Sequence, residues 1–191
     1  MNKVICITGL CGAGKSVVSD YLVNQKGFHF LRFGQLTMDE IKKRGLVPSE
    51  ALEKEIRENI RKQHGMAAFA ILNLARLDEM VKAGNVVGDG LYSFEEYKVL
   101  KEHFGNDLIV IAVYAPPVLR YERISQRISY STDTNLRNRS ISVEDAKKRD
   151  ISELEKLNKG ATIAMADYTI QNTKDTAFLS NQIEEILQTI G

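Results

Sequence analysis

At 191 residues and 43% hydrophobic side chains, the chain has the material for one sizeable core. Its 26 Lys and Arg nearly balance its 25 Asp and Glu. That argues against a general nucleic-acid or membrane-surface binder, which carries a strong basic excess. Two cysteines, Cys6 and Cys11, make no disulfide framework and point to a reducing, cytoplasmic setting. The opening MNKVICITG is too short and too soon interrupted by glycine for a secretory signal, and no apolar run approaches the roughly 20 residues of a membrane helix.

In chain order, KVICIT (Lys3 to Thr8) reads as a buried strand, and SVVSDYLVNQKG as a helix stopped at Gly27. FHFLRF is a second strand. LTMDEIKKRG and PSEALEKEIRENIRKQHG read as helices, the latter with Leu52, Ile56 and Ile60 on one stripe. MAAFAILNLARLDEMVKAG reads as one longer helix ending at Gly84. NVVGDG is a strand closing on Asp89-Gly90, and Ser93 with Glu96 forms a capping box for FEEYKVLKEHFG. DLIVIAVYA is the central strand by its continuous apolar run. Pro116-Pro117 starts the helix VLRYERISQR, ISYSTDTNLRNRSI is polar and irregular, and Ser142 with Asp145 caps VEDAKKRDISELEKLNKG. YTIQN and an amphipathic helix finish the chain. Strands alternating with helices predict an α/β fold: a parallel sheet covered on both faces. Two stretches exceed that minimal alternation, a helical excursion from about Gln35 to Ala75 and an Arg-rich segment from about Arg120 to Asp150, and both are candidate substrate-handling flaps.

Gly9, Gly14, Lys15 and Ser16 match G-x-x-x-x-G-K-S/T, directly after a strand and directly before a helix. Backbone N–H groups converge on phosphate oxygens in conformations that favour glycine, to which Gly12 adds freedom. The helix starting near Lys15 turns its positive dipole end toward the anion. Lys15 reaches the β/γ-phosphates, and the Ser16 hydroxyl is a candidate Mg²⁺ ligand; Ala13 and Val17 complete the nucleotide-binding loop. Asp89, at the C-terminal edge of its strand, faces the same metal site directly or through water.

Six of the eleven arginines fall between positions 120 and 149. Arg120, Arg123 and Arg127 share one helix face, and Arg120 reads as solvated, with Glu122 as partner. Arg127, Arg139 and Arg149 flank or follow a loop too long and polar to be mere connection, as a lid over a migrating phosphoryl group requires. Arg57 and Arg61 are four apart beside an apolar stripe, suited to grip a second substrate's phosphate. His64 and His103 read as helix C-terminal caps.

The chain resembles the nucleoside monophosphate kinase group of P-loop proteins, and within it a dephospho-CoA kinase-like branch of nucleotide kinases. The resemblance rests on GLCGAGKS, FGQLTMDEIKKRGL, GDGLYSFEEYKVLKEHFG, VYAPPVLRYERISQR, KKRDISELE and MADYTIQN, nearly the whole chain. It implies a P-loop three-layer sandwich with a five-stranded parallel sheet, a helical flap at about 35–75 and an Arg-rich lid at about 128–150, all in one domain. It implies Mg·ATP as donor, with Lys15 on the transferred phosphoryl group, Arg127 and Arg149 as lid arginines, and Asn172 opening the adenine loop. It places Gly34, Gly90 and Tyr92, with Arg57 and Arg61, on the acceptor side. There this chain departs from the group's pattern: Gln35 and Met38 stand where relatives often carry Asp and Arg, and Leu91-Tyr92-Ser93 where an arginine tends to follow Asp-Gly. Arg32, Arg57 or Arg61 must then take the acceptor's phosphate, or the acceptor is not an ordinary nucleoside monophosphate.

The expected activity is phosphoryl transfer from Mg·ATP to a small nucleotide-type acceptor, a nucleoside or deoxynucleoside monophosphate, by a monomer or homodimer. Dephospho-CoA is the alternative acceptor. A regulatory NTPase acting on a protein partner through the apolar helices around Met66 to Met80 is a reading of another class. RNA-end phosphorylation is disfavoured by the neutral charge.

Overall fold

The computed structural model describes residues 2–127 and 141–191. The elements run β1 (Val4–Thr8), α1 (Lys15–Lys26), β2 (His29–Arg32), α2 (Gln35–Lys43), α3 (Glu50–His64), α4 (Ala68–Ile71), α5 (Leu74–Ala83), β3 (Val86–Asp89), α6 (Phe94–Phe104), β4 (Leu108–Tyr114), α7 (Pro117–Ser125), α8 (Val143–Leu157), α9 (Lys159–Ala164), β5 (Tyr168–Gln171) and α10 (Thr176–Ile190). The sheet is five-stranded and parallel throughout, in the order β2-β3-β1-β4-β5.

Period-two alternation in β1 explains the layering. Val4 and Cys6 point into one core with Leu31, Phe33, Phe69, Leu77, Leu100 and Val110. Ile5 and Ile7 point into the other with Val18, Leu22, Val87, Ile111, Ile170 and Ile183. Both faces are buried, so these strands read as continuous apolar runs. Helices α2 to α5 fill the connection between β2 and β3, where the sequence marks a helical excursion. Residues 128–140, the greater part of the expected lid with Arg137 and Arg139, lie outside the described residues. No helix among the described residues is long and apolar enough to cross a membrane.

The stretch Met66 to Gly84 is two helices and not one. The buried Asn73 side chain donates to Phe69 O at 2.8 Å, and its N–H turns to Ala70 O at 3.0 Å, a tighter bond than the α-helical one. An Asn that hydrogen-bonds the preceding turn competes with helix propagation. The helix after Ser142 likewise ends early, at Asn158, which takes the left-handed conformation with φ 49° and starts α9.

Candidate active site

The loop from Gly9 to Gly14 links the end of β1 to the first turn of α1, at the C-terminal edge of the sheet. Two close approaches dictate its glycines. At Gly12, φ is +79° and a Cβ would lie 2.4 Å from Arg120 O; at Gly14, φ is +99° and a Cβ would lie 2.0 Å from Asn172 Nδ2. Lys15 Nζ crosses the loop and donates to Gly9 O at 2.8 Å and Leu10 O at 3.1 Å. Burial, with the Lys159 ammonium adding to it, lowers the Lys15 pKa to about 8. Asp89 closes β3, in register with Ile7 of β1 and Arg32 of β2.

A cleft of about 120 Å³ opens beside the loop. Lys15, Ser16, Asp89 and Arg127 line it near the loop; Arg32, Gly34, Thr37, Arg57, Arg61, Gly90, Tyr92 and Arg149 line the rest. All three arginines named as stand-ins for the missing acceptor cations therefore face one space. Arg57 pairs with Glu50 at 2.8 Å and Glu53 at 3.4 Å. Arg61 lies over the Phe69 ring, 4.7 Å from its centroid, and its terminal nitrogen is 3.5 Å from Glu96. Its Nε is buried without a hydrogen-bond partner among the described residues, as is Thr37 Oγ1.

A second depression lies across the loop and is lined by Gly12, Gly14, Ser16, Val17, Arg123, Arg127, Asn172 and Lys174. Arg127 borders both spaces. Ala13 is buried beneath the loop, and its carbonyl accepts Asn172 Nδ2 at 2.9 Å. The Asn172 side chain thus braces the phosphate loop from the segment expected to hold the base.

Arg120 corrects the sequence reading. It is not solvated and does not use Glu122. At 4% exposure its guanidinium donates to Ala115 O at 3.0 Å, Cys11 O at 2.9 Å and Asp150 Oδ2 at 2.5 Å. Asp150 also accepts the Cys11 N–H at 3.3 Å and the Tyr121 hydroxyl at 3.0 Å. This buried network ties α7 and α8 to the phosphate loop. The neighbouring residue on α8, Arg149, reaches the cleft and meets Glu153 at 2.9 Å, the Tyr92 hydroxyl at 3.4 Å and Glu50 at 3.9 Å. His103 pairs with Asp78 of α5 at 2.7 Å.

Sequence reasoning missed Thr37, Glu153, Lys159 and the second role of Glu96. Lys159 is fully buried, 2.6 Å from Glu153 and with its ammonium 4.4 Å from the Tyr92 ring centroid. Burial alone raises the Glu153 carboxyl, but Lys159, then Arg149 and Lys15, outweigh it and hold it well below the carboxylate range. Burial pushes the Glu96 carboxyl up, against the pull of Arg61 and of the Ser93 and Tyr92 N–H groups. Only the capping box S-x-x-E was visible at Glu96; a buried lysine has no local sequence signal.

Comparison with known proteins agrees with this architecture. A family model described as an AAA domain matches residues 5–157. A UPF0200 protein of Thermococcus onnurineus is 30% identical over 190 residues, 98% of this chain and 97% of its own. One from Aeropyrum pernix is 34% identical over 170 residues, 89% of this chain and 84% of its own. A UPF0200/UPF0201 protein of Archaeoglobus fulgidus is 32% identical over 187 residues, 97% of this chain and 55% of its own. Among solved structures, a shikimate kinase from Bacteroides thetaiotaomicron superposes with TM-score 0.57 at 16% identity, covering 98% of both chains. A gluconokinase from Sinorhizobium meliloti gives 0.56 at 13%, covering 98% of this chain and 91% of its own. Those structural likenesses establish a P-loop kinase-like fold, and the sequence matches place the chain within it: it carries an AAA domain and belongs to the UPF0200 family.

Proposed function

We propose that the protein is an ATP-dependent phosphotransferase that moves the γ-phosphoryl group of Mg·ATP to the phosphate of a nucleotide-type acceptor, a nucleoside or deoxynucleoside monophosphate. One observation carries the reading: Arg61 and Thr37 line the same cleft as Lys15, and each holds a buried polar atom, Nε and Oγ1, without a hydrogen-bond partner among the described residues. An unmet buried donor is costly, about 1–3 kcal/mol and more for a charged group. An acceptor phosphate in the cleft relieves that cost at both groups, with Arg32 and Arg57 beside it.

The reaction needs positioning and charge neutralisation more than a strong base. The donor phosphates lie on the loop amides from Gly12 to Val17 and on Lys15, with Asn172 and Arg127 toward the base side. Arg127, which lies two residues past the end of α7 and not on a helix face shared with Arg120 and Arg123, and Arg149 on α8 approach the transferred group and keep water from it. Ser16 and Asp89 line the cleft beside the loop, and their hard oxygens suit Mg²⁺, which takes one or two protein ligands and completes its shell with phosphate and water. When bound, Mg²⁺ neutralises charge on the β- and γ-phosphates.

The test is ADP release from Mg·ATP with a panel of nucleoside and deoxynucleoside monophosphates and dephospho-CoA, with products identified by mass and Lys15→Ala as blank. One acceptor stimulating turnover strongly is the expected result. A slow, Lys15-dependent hydrolysis that no acceptor stimulates would overturn the kinase reading.

A further inference from the structure

Beyond the inner cleft the cavity widens. A groove of about 700 Å³ runs between α3 and α8. It shares Glu50, Arg57, Arg61, Tyr92 and Arg149 with the inner cleft, so the two are continuous. The size difference matters. Ligand pockets run from roughly 300 to 1,000 Å³. At about 120 Å³, the inner cleft has room for the reacting phosphates but not for a nucleotide, and the groove is the space for the body of the molecule that bears the acceptor phosphate.

The groove's walls say what that body carries. Seven basic residues and four acidic ones line it, in a chain whose overall charge is almost zero. Lys54 and Lys62 lie on the α3 wall on either side of Arg57 and Arg61, and Lys148 and Lys156 line the α8 wall. Ion pairs to Glu53, Glu96 and Glu144, outside the lining, offset that excess, and among the described residues Lys54 and Lys62 are the two lining cations without an ion pair, so they are the ones able to take an added anion. Two ion pairs cross from helix to helix, Arg149 to Glu50 at 3.9 Å and Lys156 to Glu58 at 3.7 Å. Both are long. The second is more than half exposed at each end and so holds the helices together only weakly.

We infer that the α3–α8 groove is the binding site for the acceptor's body and selects a nucleotide with a second phosphate, remote from the one held in the inner cleft. This rests on the proposed phosphotransferase reading. The remote phosphate meets the ammonium groups of Lys54 and Lys62 at the groove's rim. A plain nucleoside monophosphate places its phosphate in the inner cleft and its nucleoside in the groove, but leaves that rim unused.

The experiment compares each nucleoside 5′-monophosphate with its 3′,5′-bisphosphate. Direct binding is measured by calorimetry in the presence of a non-hydrolysable ATP analogue, and turnover by ADP release. The bisphosphate of the preferred base is expected to bind at least ten-fold tighter and to show a steeper loss of affinity with salt. In Lys54→Glu/Lys62→Glu, two exposed helix positions, that advantage is expected to shrink to less than three-fold, the bisphosphate losing more affinity than the monophosphate; the milder Lys54→Gln is expected to lose part of it. Equal binding of mono- and bisphosphate by the native protein overturns the inference, as does an advantage that survives the double charge reversal. Tighter bisphosphate binding without turnover of any acceptor leaves the groove assignment standing and removes the kinase reading instead.

Discussion

Arg61 on α3, partly buried, and Glu96 on α6, fully buried, meet at 3.5 Å across 35 positions of sequence. The other Glu96 oxygen accepts the Tyr92 N–H at 3.0 Å and the Ser93 N–H at 3.1 Å. One carboxylate thereby caps α6, fixes the loop after Asp89 and holds an arginine that lines the cleft beside the phosphate loop. The Ser93 hydroxyl adds Met66 O, at 2.9 Å, to the same junction.

Glu96→Gln separates these jobs. A glutamine oxygen still accepts the two loop N–H groups, as glutamine does in a capping box. Its amide nitrogen then faces Arg61, which loses its counter-charge. Breaking a buried pair costs about 3–5 kcal/mol, and Glu96→Ala is expected to cost about 1 kcal/mol more for the lost cap. The informative readout is kinetic. In Glu96→Gln the acceptor KM is expected to rise about ten-fold, roughly 1.4 kcal/mol in binding, with little change in the ATP KM. A lowered Tm with an unchanged acceptor KM would make Glu96 purely structural.

The fold was legible because its signals are local. Continuous apolar runs gave the buried strands, Ser93 and Ser142 gave helix starts, and the G-x-x-x-x-G-K-S spacing located the phosphate loop. What escaped was long-range. Arg120 has a surface residue's sequence context, and its burial depends on Asp150 arriving from another helix. Asn73 breaks a helix whose residues otherwise favour it, through a side-chain bond that propensity does not register. Thr37 and Lys159 matter through the cavity and the partner that packing supplies, and neither is written in their neighbours.

The Arg120–Asp150 pair predicts a link between helices α7 and α8 and nucleotide binding at the phosphate loop. Asp150→Asn leaves the buried Arg120 charge unmatched and is expected to destabilise by about 3–5 kcal/mol. Replacing both partners by apolar residues, Arg120→Met/Asp150→Leu, is expected to recover much of that stability, since an apolar pair avoids the desolvation penalty. It restores no acceptor for the Cys11 N–H. Affinity for a fluorescent ATP analogue should therefore stay low in the double variant although its Tm recovers. Recovery of both would disconnect the network from the phosphate loop.

Glu153 predicts an acid limb in the stability curve. Its folded pKa is depressed, chiefly by Lys159, so its contribution is fully present above the unfolded value of about 4.3 and is lost as pH falls through the folded one. Glu153→Gln is expected to be less stable than wild type by about 3–5 kcal/mol near pH 7, because Lys159 is left buried and unpaired. That gap should narrow steadily below about pH 4. Thermal unfolding of both proteins from neutral to acid pH reads it directly. In Glu153→Gln/Lys159→Met the neutral-pH deficit should shrink, and a gap independent of pH would show that the pair does not titrate in this range.

The two loop glycines predict different genetics. A Cβ at Gly12 would strike the backbone carbonyl of Arg120, which cannot move without α7; a Cβ at Gly14 would strike only the end of the Asn172 side chain. Both have positive φ, so an alanine at either position carries about 1–2 kcal/mol of backbone strain. The steric part, however, is removable at Gly14 alone. Asn172→Ala is therefore expected to recover part of the Tm lost in Gly14→Ala and none of that lost in Gly12→Ala, where the two substitutions should add. Affinity for ATP is expected to stay low in the rescued variant, since Asn172→Ala also removes the bond to Ala13 O that braces the loop. A coupling of equal size at both glycines in the double-mutant cycle would contradict this arrangement of the loop.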